Sequence, residues 1–212
     1  MLANRRDAGR KLADQLSLKG IKDGLYMAIP RGGVVVAAEM KKRIDFPMDL
    51  IIPRKIGAPK NSELAVGAVA QDGTVIYDHN MLSRLGIKEK DLELEVKDQI
   101  SEISRRMIHY RGSDIYPDYF NKEIVLVDDG VATGHTAMAA LKSLKKMFKM
   151  KRLILAVPVA PPDTIIKLKK EVDEIICLLK PTDFYSVGQF YEDFKQTEDE
   201  EVIQILKEIN KE

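Results

Sequence analysis

Apolar residues recur along this chain in two rhythms, one helical and one short and unbroken. Residues 4–16 place Ala8, Leu12, Ala13 and Leu16 on one helical face among charged neighbours, so an amphipathic helix covers a core surface there. The mostly apolar runs GLYMAIP (24–30), MDLIIP (48–53), IVLV (124–127), LILAVPV (153–159) and EIICLL (174–179) have the length and composition of strands buried on both faces. Between them, VVVAAEMKKR (34–43), the stretch carrying Ala137, Leu141, Leu144 and Phe148, TIIKLKKE (164–171) and TEDEEVIQILKEI (197–209) read as helices. Thr197 and Glu200 fit a capping box at the start of the last.

One region departs from this alternation. RKIGAPKNSE (54–63) reads as a loop rich in basic and turn residues, a lid in the making, and LAVGAVAQDGTVIY (64–77) as a hairpin turning at Asp72-Gly73. From Lys88 to Tyr110, Leu92, Val96, Ile100, Ile103 and Met107 recur at spacings of four and three, the mark of one long helix that packs on the domain or on a second subunit.

Strands alternating with helices predict an α/β fold, a mostly parallel sheet with helices on both faces. The expected organisation is a single domain over 1–212, with a helical insertion at about 80–120 and a carboxyl-terminal cap at about 181–212. Ligands of such sheets bind at the carboxyl ends of strands. The loops leaving those ends, at Arg31, Arg54, Asp128 and Pro181, are where chemistry is expected.

Charge changes this picture little: 34 basic against 33 acidic residues leave a formal charge of +1. Such a balance makes no case for nucleic acid or a membrane surface as partner. The lone Cys177 excludes an internal disulfide and, within EIICLL, reads as a small buried hydrophobe. MLANRRDAGRK lacks the apolar core of a signal peptide, and the apolar runs fall short of a membrane span. A cytoplasmic protein is expected.

The stretch IVLVDDGVATGHT (124–136) carries the chemistry. Asp128 and Asp129 follow a buried strand, and GVATGHT must turn into the next helix. Gly130 and Gly134 allow close backbone approach, Thr133 and Thr136 add hydroxyl donors, and the helix start adds a positive dipole end, all suited to a phosphate monoester. Adjacent carboxylates would repel that phosphate but accept from a pair of sugar hydroxyls, each such bond contributing about 1.5–3 kcal/mol. A ribose 5-phosphate satisfies both halves. No Gly-Lys pair exists for a Walker loop, and the first strand lacks the acids of a response-regulator receiver.

VLVDDGVATGHT closely resembles the phosphoribosyl pyrophosphate signature of type I phosphoribosyltransferases. IPRGG (29–33) resembles their pyrophosphate loop, and PRKIGAPKNSE (53–63) their mobile loop, in the same order along the chain. More narrowly, RKIGAPKNSELAVGAV, VPVAPP and FYSVGQFYEDFKQTEDEEV resemble a subfamily of unassigned base specificity, the likeness spanning roughly Arg5 to Leu206.

The resemblance implies a Rossmann-like, type I phosphoribosyltransferase-like fold and transfer of ribose 5-phosphate from phosphoribosyl pyrophosphate to a small-molecule acceptor, a nucleobase as in nucleotide salvage. It implies Mg2+ held through the substrate with no direct protein ligand. Arg31, Lys55, Asp128 and Asp129 become the catalytic residues. Asp128 and Asp129 accept from the ribose. Gly130, Val131, Ala132, Thr133, Gly134, His135 and Thr136 hold the 5-phosphate. Arg31 and Gly32 face the pyrophosphate, with Arg54, Lys55 or Lys60 closing over it. Ala132 stands where enzymes acting on 6-oxopurines usually carry an acid, which disfavours hypoxanthine and guanine as acceptors. His135 reads as a helix-start residue.

Phe184 and Tyr185, with Phe190 and Tyr191, could stack on the acceptor, although their spacing equally suits a helix core. Arg105, Arg106 and Arg111 read as surface or subunit contacts, and a homodimer is among the arrangements the long helix allows. The rival reading is a noncatalytic regulator that binds phosphoribosyl pyrophosphate or a nucleotide.

Overall fold

The computed structural model describes residues 1–59 and 61–209. In chain order its elements are α1 (Arg5–Ser17), β1 (Gly24–Ala28), α2 (Gly32–Lys41), β2 (Met48–Leu50), β3 (Arg54–Ala58), β4 (Asn61–Val69), β5 (Val75–Tyr77), α3 (His79–Leu85), α4 (Glu93–Arg111), β6 (Glu123–Val127), α5 (His135–Met147), β7 (Arg152–Val159), α6 (Pro162–Leu168), β8 (Glu174–Leu179) and α7 (Asp199–Ile209). They fall into two compact units.

The first unit, Met1–Ile51, Asp118–Thr133 and Phe148–Glu212, holds the parallel sheet, in the order β2-β1-β6-β7-β8. Every residue of β1 and β6 is buried, as unbroken apolar strands in a covered parallel sheet must be. Glu123 is the exception in character. Its carboxylate accepts from the Lys22 amide at 2.9 Å and the Arg152 guanidinium lies 4.0 Å away, so this buried charge is bonded. The Lys22 amide above all holds its pKa below the usual range. Helix α1, with Asn4 capping the Asp7 amide, buries Ala8, Leu12, Ala13 and Leu16 as its pattern requires, and it packs on α2, β7 and β8. Helix α2 packs on β1, β2, β6 and α7.

The second unit, Ile52–Pro117 and Gly134–Met147, is built on the antiparallel sheet β3-β4-β5. The hairpin turn sits at Asp72-Gly73 as expected: the Ala70 amide donates to Thr74 O at 2.9 Å, and Gly73 takes φ 79°. Residues 54–63, expected as a loop, instead supply β3 and the start of β4. Ile56 and Ala58 are buried after the more exposed Arg54 and Lys55, and Gly57 lets the backbone of Ser62 approach within 2.6 Å of where a Cβ would stand. Helix α4 buries Ile103, Met107 and Tyr110 and ends at Gly112 (φ 75°), but it starts at Glu93, after a single 3-10 turn over Glu89–Leu92. Helices α4 and α5 both pack on β3 and β4.

Two local expectations are corrected. Helix α7 begins at Asp199, so Glu198 rather than Thr197 precedes its first residue; Thr197 is drawn into the core, and three acids, Asp199, Glu200 and Glu201, complement the helix start. Cys177 is half-buried rather than fully so; its thiol donates to Leu179 O at 3.1 Å, and burial pushes its pKa up. Among the described residues, no helix is long and apolar enough to cross a membrane.

Candidate functional site

Strand β6 delivers Asp128 and Asp129 at its carboxyl end, in the middle of the parallel sheet. The Asp129 amide donates to Asp128 Oδ1 at 2.8 Å, turning the first carboxyl back toward the chain. Burial, and then the charge of Asp129, drive the Asp128 pKa well above the usual carboxylate range. Of the two acids, Asp128 is therefore the one whose negative charge is the less favoured.

The start of α2 is pressed against these acids. A Cβ on Gly33 would lie 2.8 Å from Val127 O and 3.0 Å from the Asp128 Cα, and one on Gly32 would overlap the Asp129 carboxylate. Only glycine allows this approach, so RGG marks a helix start seated on the acid pair and not a free turn. The Pro30–Arg31 peptide is cis. Arg31 precedes the first residue of α2, half-buried, with its guanidinium 3.3 Å from Asp199 Oδ1 and 3.7 Å from Glu198 Oε2. The first unit therefore brings Gly32, Asp128 and Asp129 together, while the Arg31 side chain turns to Glu198 and Asp199.

Sequence reasoning missed Arg5, the first residue of α1. Its Nε donates to Asp129 Oδ2 at 2.7 Å and its NH1 group donates to Lys195 O at 2.7 Å, while the guanidinium lies 3.9 Å from the centre of the Phe194 ring. Phe194 stacks on Tyr191 at 4.8 Å, and the Tyr191 hydroxyl donates to Asp129 O at 2.6 Å. Burial and the nearby Asp129 charge push the Tyr191 pKa up, keeping that hydroxyl a donor.

The turn after the acids is only in part a set of open amides. Gly130 takes φ 153°. The Val131 amide donates to Val159 O at 2.9 Å, which commits it to the sheet and removes it as a phosphate donor. Ala132 and Thr133 are exposed, and Ala132 O accepts from the Thr164 hydroxyl at 2.7 Å. In the second unit Gly134, at φ 85°, accepts from the Met138 amide at 2.8 Å. His135 opens α5, its Nε2 3.7 Å from Asp78 Oδ2, and Thr136 is half-buried in the same first turn.

Of the basic residues in the second unit, Arg54 is half-buried and its Nε donates to Gln99 Oε1 of α4. Burial, and then the charge of Arg106, lower its pKa. Lys55, next along β3, is exposed. Lys60 lies outside the described residues. Arg105 and Arg106 both pair with Glu102, at 2.6 and 2.8 Å, and Arg105 chiefly holds that carboxyl down to about 2.

The phosphoribosyl transferase domain model matches residues 2–195. The chain belongs to the phosphoribosyl transferase domain family. It is 36% identical over 204 residues to a Mycobacterium tuberculosis protein whose name as a phosphoribosyl transferase is provisional. That match takes in 96% of this chain and 46% of the other, so the chain spans about half the length of the curated relatives it matches. The bifunctional protein PyrR of Latilactobacillus sakei is 28% identical over 139 residues, 66% of this chain and 59% of its own. Among solved structures, TT1426 from Thermus thermophilus superposes with a TM-score of 0.80 at 37% identity, over 98% of both chains.

In this phosphoribosyl transferase domain the four carboxyl-terminal aromatics divide. Tyr191 is core, with its hydroxyl serving Asp129; Phe184 tilts against Phe190 at 5.3 Å; Tyr185 is 91% exposed. No three metal-type side chains cluster among the described residues. The oxygen donors at the β6 end are two carboxyls, one already bonded to Arg5. Such a set fits magnesium carried by a donor's phosphates, since Mg2+ keeps few protein ligands at such sites.

Proposed function

We propose that this domain transfers the ribose 5-phosphate of phosphoribosyl pyrophosphate to a nucleobase and releases pyrophosphate. The observation that carries the reading is the acid pair Asp128–Asp129 at the end of a buried central strand, with the glycine-started α2 seated directly on it. Two adjacent carboxyls, one of them tied to Arg5 through a single oxygen, are suited to accept from two neighbouring sugar hydroxyls.

In this reading the amides and hydroxyls from Ala132 to Thr136 hold the 5-phosphate, and Arg31 faces the pyrophosphate. The C1–O bond breaks with its electron pair leaving on pyrophosphate as an acceptor nitrogen closes on C1, through an oxocarbenium-like state. Arg31 steadies the charge that builds on the leaving group, and Lys55 does the same from β3. Magnesium, when bound through the donor, supplies further charge neutralisation. Tyr185 and Phe184 are the surfaces for the acceptor, and Ala132 disfavours 6-oxopurines. The reading places the protein in the cytoplasm, and the balanced charge, +1 overall, supports a small-molecule partner.

Calorimetry with phosphoribosyl pyrophosphate, ribose 5-phosphate and pyrophosphate, followed by pyrophosphate release with magnesium and a panel of bases, tests the reading. Tight donor binding with base-dependent release is expected. Donor binding without release for any base would instead favour a noncatalytic regulator.

A further inference from the structure

Asp129 is the ribose-facing acid of the proposed reaction, yet one of its carboxylate oxygens is already held from the other end of the sequence. Arg5 and Asp129 stand 124 residues apart in sequence and meet at 2.7 Å with side chains only 12% and 18% exposed. A pair this buried, joined by a short charge-assisted bond, holds its geometry far better than a surface pair.

Arg5 is itself fixed on three further sides. Phe194 lies under its guanidinium, Lys195 O accepts from its NH1, and Asn4 caps the helix that Arg5 begins. The segments that supply these contacts are laced together. The Leu2 amide donates to Phe190 O at 2.9 Å, the Glu192 amide to Leu2 O at 2.9 Å and the Asp193 amide to Ala3 O at 2.9 Å. The same carboxyl-terminal segment holds the Asp129 backbone through Tyr191. Both the carbonyl and the carboxylate of Asp129 are thus clamped by one clasp made from the two ends of the chain.

We propose that Arg5 is a positioning residue for the donor site: from α1 it fixes Oδ2 of Asp129 and so aims the carboxylate at the ribose. The inference rests on the phosphoribosyl transfer reading above. Arg5 touches no reacting atom. Its loss should loosen donor binding and leave the chemical step largely intact, because the ribose contacts form in ground and transition states alike. Lysine keeps the charge but lacks the planar fork that bonds carboxylate and carbonyl together, so Arg5→Lys should recover only part of the loss. Removing Phe194 tests the clasp without touching either charge.

The test uses the full chain, its Arg5→Gln, Arg5→Lys and Phe194→Leu variants, calorimetry with phosphoribosyl pyrophosphate and magnesium, and steady-state kinetics with whichever base supports release. The expected result for Arg5→Gln is a Kd and KM raised about tenfold or more, with kcat changed less than about threefold. Arg5→Lys and Phe194→Leu should fall between it and the natural chain. A variant that binds the donor as tightly as the natural chain, or more tightly, overturns the role of Arg5 while leaving the transfer reading standing. A natural chain with no affinity for the donor overturns the transfer reading, and the role of Arg5 with it.

Discussion

A Cβ on Gly32 would overlap Oδ2 of Asp129 and stand 2.6 Å from the Arg5 Nε. The first residue of α2 and the Asp129 carboxylate are therefore in contact with no room for a methyl group. Gly32→Ala must displace the carboxylate or the helix start. Overpacking of this kind costs about 1–3 kcal/mol, roughly 2–12 °C in melting temperature for a chain of this size. Thermal melting should register that loss, and calorimetry should show donor affinity falling about tenfold or more. A variant with natural stability and affinity would mean that α2 does not bear on the site.

Asp129→Asn keeps the shape but replaces a carboxylate that serves both Arg5 and, in the proposed reaction, the ribose. Hydrogen bonds to charged groups contribute about 1.5–3 kcal/mol, so the donor Kd should rise about 10- to 150-fold. Unaltered affinity by calorimetry would remove Asp129 from ribose binding.

Asp128 gives a pH signature. Burial and the Asp129 charge raise its pKa in the folded protein. Between the unfolded value, near 3.9, and that raised value the folded state binds more protons than the unfolded one. The contribution of Asp128 to stability is therefore present at low pH and lost as pH rises through the folded pKa. Asp128→Asn stays neutral throughout. Its melting temperature should match the natural protein near pH 4 and exceed it increasingly toward pH 8, while its donor affinity falls. A gap that does not grow with pH would show that folding does not raise the Asp128 pKa.

Neighbouring basic residues of β3 should separate. Arg54 bonds Gln99 and is half-buried, whereas Lys55 is exposed. Lys55→Ala should lower turnover at least about tenfold with little change in melting temperature or in ribose 5-phosphate affinity. Arg54→Ala should in addition destabilise the protein by about 1 kcal/mol, since it removes the Arg54 partner of the half-buried Gln99 oxygen. Turnover unchanged in Lys55→Ala would exclude it from the reaction.

The parallel sheet was legible because strands covered on both faces leave unbroken apolar runs, and the acids because adjacency to such a run puts them at a strand end. The β3–β4 hairpin was hidden by composition: Gly57, Pro59 and a polar run from 60 to 63 look like a loop, and the buried Ile56 and Ala58 are too few to set an alternating pattern. Helix α3 escaped notice although Asp78 caps the Met81 amide and Gly86 ends it at φ 64°, two signals that together mark even a seven-residue helix. Tyr191 could not be told from a base-stacking aromatic, because spacing alone does not say which way a ring faces. Arg5 had no local signal at all; its partner lies across the fold, and only the folded chain ends bring the two together.

Product analysis speaks most directly to the proposed transfer. The protein is incubated with phosphoribosyl pyrophosphate, magnesium and each of a panel of nucleobases, and phosphorus NMR with mass spectrometry identifies where the ribose 5-phosphate goes. For at least one base, a nucleoside 5′-monophosphate should appear in equal amount with pyrophosphate, and at donor concentrations well below its raised Kd Asp129→Asn should lower both together. Free ribose 5-phosphate as the sole sugar product, or no turnover with any base, would contradict a phosphoribosyl transfer at Asp128 and Asp129.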